Sequence, residues 1–187
     1  MRFKICVSGS AAGECVENEE TMGLAKEVGR EIARQKCILM TGATTGIPYA
    51  AALGATEQKG LSIGFSPAAT PADHINRYRL PTKGMELVIY TGFGYSGRDL
   101  LLTRAADAVI IICGRIGTLH EFSVAFEDKK PIGVLEGSGG ITADLRGIVE
   151  RSHKDHEVII YESDPKKLVA GLVGELERKY QPLKDLL

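Results

Sequence analysis

Gly114-Arg-Ile-Gly-Thr-Leu-His-Glu121 places two glycines, a hydroxyl, an imidazole and a carboxylate directly behind the apolar run of residues 108–113. A short, continuous apolar run bounded by turn residues reads as a buried parallel strand. Residues 118–129 have the composition of a helix. Strand, glycine-bearing turn and helix N-terminus together present unpaired N–H groups and the positive end of a helix dipole to an anion. Glu121, one turn into that helix, adds a group able to stabilise a cationic centre or to take a proton. A phosphate cradle with an acid beside it implies a nucleotide site, and chemistry on the nucleotide. A structural reading stands beside it. Thr118-x-x-Glu121 is also the spacing of a capping box, in which the two side chains satisfy each other's backbone N–H groups, and the glycines then supply only a positive φ.

The elements that must position these residues alternate along the chain. Strand patterns fall at 3–7, 37–40, 61–65, 87–90, 108–113, 132–135 and 158–161. Helical patterns fall at 19–35, 50–58, 98–106, 118–129 and 142–152, with a last helix from the Asp164-Pro165 cap to about residue 180. Residues 66–81 are proline-bearing and irregular. This alternation predicts one α/β domain over residues 1–187, a Rossmann-like three-layer sandwich with a mostly parallel sheet and helices on both faces. Ligands of such sheets bind beyond the carboxyl ends of the strands, where the strand order reverses. Four glycine-rich turns, at 9–13, 42–46, 92–97 and 114–117, follow predicted strands, and one shared pocket accounts for all four.

Composition narrows the function classes. A net charge of −1 with no lysine/arginine block argues against a nucleic-acid groove or an anionic membrane surface as partner. The N-terminus enters a strand pattern at once, without a signal-peptide pattern, and no apolar run is long enough to span a bilayer. Cys6, Cys15, Cys37 and Cys113 form no CxxC pair, and three of them sit in strand-like runs, where a free cysteine behaves as a small buried hydrophobe, which implies a reduced, cytoplasmic setting. His153 and His156 lack a third ligand, so no metal is expected. Asp73-His74 has no serine in a nucleophile elbow to act on. Tyr90, Phe93 and Tyr95 flank glycines, where one could stack on a base or all could pack in the core. No turn carries a Walker A lysine or a GxGxxG fingerprint, and nothing points to a resident cofactor.

Arg98, Arg104, Ala106-Asp-Ala108, the apolar strand and Gly114-x-x-Gly-Thr-x-x-Glu121 resemble the LOG (LONELY GUY)-like branch of the SLOG superfamily, which carries a helical arginine, ADA, a strand and PGGxGTxxE. The resemblance is strongest over residues 96–135. It implies a Rossmann-like homodimer that binds a nucleoside 5′-monophosphate and hydrolyses its N-glycosidic bond. Glu121 would then stabilise the oxocarbenium-like centre and handle the water, with Arg98 pairing to phosphate or ribose. The phosphate would rest on Gly114, Arg115, Ile116, Gly117 and Thr118. The turns after the first two strands would add Gly9, Ser10, Gly42, Thr44 and Gly46. The chain departs from the pattern at several residues: PGG is here Cys113-Gly114-Arg115, so that Arg115 replaces the second glycine, the family's basic pair is Arg98-Asp99, and His120 replaces an acid, so that it could protonate a leaving base. Ser96-Gly-Arg-Asp99 also resembles an uncharacterised SLOG branch and the related molybdenum-cofactor carriers, which implies a non-catalytic binding alternative.

Overall fold

The computed structural model describes residues 2–182. Seven strands, β1 (Lys4–Gly9), β2 (Ile38–Thr41), β3 (Ser62–Ser66), β4 (Leu87–Tyr90), β5 (Ala108–Ile112), β6 (Ile132–Leu135) and β7 (Ile159–Glu162), form one sheet in the order β4-β3-β2-β1-β5-β6-β7. Every adjacent pair is parallel. The helices are α1 (Glu14–Glu17), α2 (Glu19–Arg34), α3 (Ile47–Glu57), α4 (Gly94–Ala105), α5 (Ile116–Glu127), α6 (Thr142–Ser152) and α7 (Pro165–Tyr180). The expected α/β sandwich is therefore present.

Apolar runs rather than alternating ones build the centre because both faces are covered. All five residues of β5 are buried. Ile5, Val7, Ile110 and Ile112 meet α2, α3 and α7 on one face, while Cys6, Val109 and Ile111 meet α4, α5 and α6 on the other. Local signals set several ends. Asn18 caps α2 by accepting the Thr21 N–H at 3.0 Å, and Asp164 accepts from Lys166 and Lys167 ahead of Pro165.

The chain runs outward from β1 to the β4 edge, then returns beneath the sheet to place β5 against β1. That reversal puts Gly9 in register with Ile112 and sets the turns after β1 and β5 side by side.

Three expectations need correction. The helix after β5 starts at Ile116 rather than Thr118, with Arg115 as its N-cap and no side-chain cap bond. The irregular stretch after β3 contains a π-helical turn, Asp73–Arg77, seated on buried His74. Pro81 O is an obligate acceptor 3.0 Å from His74 Nε2, so that nitrogen carries the proton and Nδ1 accepts from Ser66 Oγ at 2.8 Å. His74 is thus a satisfied core residue, and Asp73-His74 is no dyad. Finally, Cys15 and Cys113 are joined in a disulfide, while Cys6 and Cys37 are free and buried. The partners are 98 residues apart and meet only because the sheet reverses between β1 and β5. The pairing removes the argument that the cysteines made for a reduced compartment. Among the described residues, no helix is long and apolar enough to cross a membrane.

Candidate functional site at the strand-order reversal

Where β1 parts from β2 and meets β5, the carboxyl ends of the strands open into a cleft of about 420 Å³. Its floor holds Glu121, Arg98 and Asp99, all buried. Its walls include Gly9, Ser10, Thr44, Arg115, Gly117 and Thr118, all expected there from sequence. Tyr78, Arg79 and Leu80 come from the end of the π-helical turn, and Tyr95 comes from α4.

Glu121 lies in the second turn of α5, beyond reach of the capping role that its spacing allowed. Its carboxylate instead accepts a hydrogen bond from Ser8 Oγ at the end of β1. Burial pushes the Glu121 carboxyl up to about 7, and the negative charge of Asp99 adds to that rise, while Arg98 and the Ser8 hydroxyl oppose it. Asp99 is also raised, chiefly by burial, against the pull of Arg98 and His120. The floor is a pair of carboxyls sharing one buried guanidinium.

Arg98 is held from several sides. Its Nε lies 3.0 Å from Asp99 Oδ1, but the N–H is not aimed at that oxygen and has no hydrogen-bond acceptor among the described residues. Nη1 donates to Phe65 O at 3.4 Å, and the guanidinium carbon lies 5.8 Å from the Tyr95 ring centroid. Gly42 makes this seat. A Cβ at that position would stand 1.6 Å from Arg98 Nη1. Gly42→Ala must therefore push the guanidinium off its partners, and the expected cost is about 1–3 kcal/mol, read as a lowered midpoint in urea unfolding.

The other sequence candidates fall into place around this centre. Gly46 sits too close to Ser10 O for any side chain and ties the turns after β1 and β2 together, with Ile47 N–H bonded to Ser10 O at 2.9 Å. Gly114, at φ +94°, leaves room for Thr118. Ile116 turns its side chain to solvent and brings only its backbone N–H to the helix start. The N–H groups of Ile116, Gly117 and Thr118 have no intrahelical acceptor, because the first carbonyl of the helix, Arg115 O, accepts from the Leu119 N–H at 3.0 Å. Ser10 Oγ, also buried at the cleft wall, has no hydrogen-bond partner among the described residues. His120 is half exposed, 3.5 Å from Asp99 Oδ2, and does not line the cleft. Phe93 is exposed, Tyr90 packs edge-on to His74, and Tyr95 alone of the three aromatics reaches the cleft. His156 packs on the Phe126 ring.

Sequence reasoning missed Ser8, Arg79 and the role of Asp99. Ser8 is the last polar residue before the first glycine of a strand-end turn, which is a usable signal. Arg79 sits in an irregular stretch whose course nothing local foretold.

A protein of Archaeoglobus fulgidus, itself uncharacterised, is 30% identical over 125 residues, which is 67% of this chain and 76% of that protein. Among solved structures, the structural-genomics target TM1055 superposes with a TM-score of 0.77 at 22% identity, over 92% of this chain and 99% of its own. The Moco carrier protein of Chlamydomonas reinhardtii superposes at 0.76 and 23% identity, over 96% of this chain and 99% of its own. These two likenesses concern the fold. The motif at the end of β5 and the fold around it have one source: a sequence model of the SLOG cluster4 family matches residues 2–169, and the chain belongs to that family.

Proposed function

We propose that the cleft binds a nucleoside 5′-monophosphate and hydrolyses its N-glycosidic bond to free base and ribose 5-phosphate. The observation that carries this reading is Glu121, a carboxyl raised to about 7 at the floor of a polar cleft. A group that ionises near neutral pH suits proton transfer. The phosphate is assigned to the free N–H groups of Ile116, Gly117 and Thr118, with Arg115 at the rim. The unpartnered Ser10 hydroxyl and the Arg98 Nε–H supply further donors for phosphate or ribose.

In the reaction, water adds to C1′ as the bond from C1′ to the base nitrogen breaks. The Glu121 carboxylate stabilises the cationic sugar centre and receives the water's proton, and the departing base takes its proton from solvent. Base release should therefore rise with pH through about 7, as Glu121 becomes a carboxylate. The test is incubation with AMP, GMP, CMP, UMP and IMP, with base and ribose 5-phosphate measured against Glu121→Gln.

A second reading, a carrier or sensor that binds without turnover, is favoured by Arg115. This cation stands where the hydrolase motif has glycine, and the Chlamydomonas structure of like fold is named a Moco carrier. Tight nucleotide binding with no base release from any of the five would select it.

We also assign a homodimer to this reading. Leu87 and Ile89 lie in register with Ile63 and Phe65, on the sheet face that α4 covers, yet remain exposed with Leu100 and Leu101 of α4. A second copy covering this apolar area gives twice the chain mass in light scattering. A monomer at micromolar concentration would remove the dimer from the reading.

A further inference from the structure

We propose that the Cys15–Cys113 disulfide is a thiol–disulfide exchange site for a low-molecular-weight thiol or dithiol, and that its reduction frees the segment that follows the Ala11 wall of the ligand cleft and lines the crevice beside it. Cys15 and Cys113, both largely buried, border a second crevice of about 380 Å³, which also touches Asn18, Gly114, Arg115 and Ser138. Arg115 borders the two spaces at once. The bond therefore lies beside the proposed phosphate cradle, between two cysteines that line a crevice large enough for a small reagent.

What the bond holds is unequal on its two sides. The Cys113 side has its own supports: Cys113 N–H donates to Ser138 Oγ at 2.8 Å, and Gly114 O accepts from Ile141 N–H at 3.0 Å. The Cys15 side has few. Cys15 is the one buried side chain of the four-residue helix α1. Upstream, Thr45 Oγ1 fixes Ala11 O at 2.9 Å, and downstream Asn18 caps α2. Between those points, among the described residues, the bonds that tie 12–17 to the rest of the fold run through Cys15: the disulfide and the Gly114 N–H to Sγ contact of 3.3 Å. Gly13 in this segment faces the Arg115 guanidinium, whose Nη1 lies 3.7 Å from where a Gly13 Cβ would be. Releasing the segment removes the wall against which Arg115 rests and joins the crevice to the cleft.

The chemistry balances without a further reactant. A thiolate attacks one sulfur, the S–S bond breaks, and a mixed disulfide forms while the other cysteine leaves as thiolate and takes a proton. A second thiol, or the second group of a dithiol, displaces the protein sulfur and leaves as the oxidised disulfide. Two electrons and two protons pass to Cys15 and Cys113.

The test requires no nucleotide, so its result is separate from that of the hydrolase assay. Native protein is equilibrated in dithiothreitol of graded oxidation, alkylated, and mapped by peptide mass, with hydrogen exchange followed in parallel. The expected result is alkylation of Cys15 and Cys113 without denaturant, while buried Cys6 and Cys37 remain unlabelled. Amide exchange over residues 12–17 should rise at least tenfold, with β5 unchanged. Cys15→Ser should give the fast exchange with no reductant. Labelling that requires denaturant, exchange over residues 12–17 that ignores reduction, or a rise in β5 equal to that of the segment would each overturn the proposal.

Discussion

Glu121→Gln should abolish base release while making the unliganded protein more stable above neutral pH. Loss of a positioned carboxylate in proton transfer costs roughly 10²–10⁴ in rate, so turnover should fall below detection with nucleotide affinity nearly kept. The stability gain follows from linkage. The folded carboxyl ionises near 7, against an ordinary value of 4.5. Below 4.5 it is protonated in both folded and unfolded chains and costs nothing. Between 4.5 and 7 the unfolded chain gives up the proton first, and stability falls as pH rises. Above 7 the whole penalty is present, about 3 kcal/mol for a shift of this size. Glutamine carries no charge and still accepts from Ser8. The melting temperatures of the two proteins should therefore coincide near pH 4 and separate by roughly 10 °C above pH 8. A gap that stays constant across that range would mean that Glu121 ionises as an ordinary surface acid does.

The parallel sheet and a shared pocket at its strand ends were legible because both depend on runs of apolar residues and on glycine turns, which are local signals; the strand order that places the reversal beside β5 was not. Eight of the twelve candidates line the cleft for the same reason: they follow strand ends, and strand ends meet at the reversal. What could not be read involved partners far apart in sequence. Thr118 and Glu121 have the spacing of a capping box, and only the depth of α5 against β1 shows that the carboxylate pairs with Ser8, 113 residues away. Cys15 and Cys113 form no CxxC pair, and nothing local joins them until the turns after β1 and β5 come together. Arg79 enters the cleft through a π-helical turn seated on His74, a seat made by Ser66 and Pro81 rather than by any periodicity. Arg98 and Asp99 are neighbours in sequence, but their charges acquire meaning only from burial beside Glu121.

Arg98→Ala should be the most destabilising change at the site, because it leaves two buried carboxyls without their cation. Removing one partner of a buried ion pair costs roughly 3–5 kcal/mol, which urea unfolding at pH 8 will read directly. Arg98 also opposes the rise of both Glu121 and Asp99. Its loss must then move the ionisation of Glu121 above 7, and base release at pH 7 falls while the pH at which it rises moves upward. Arg98→Lys keeps a charge but not the planar group seated over Gly42, so it should restore part of the stability and little of the affinity. A guanidinium that only gripped ligand would lower affinity and leave the pH midpoint in place. The double variant Arg98→Ala/Glu121→Gln separates the two roles. With Glu121 neutral, Asp99 alone is left unpaired, and the cost of losing Arg98 must be smaller than in the parent protein. An equal cost in both backgrounds would show that the guanidinium serves Asp99 and the ligand, with no share in setting the charge of Glu121.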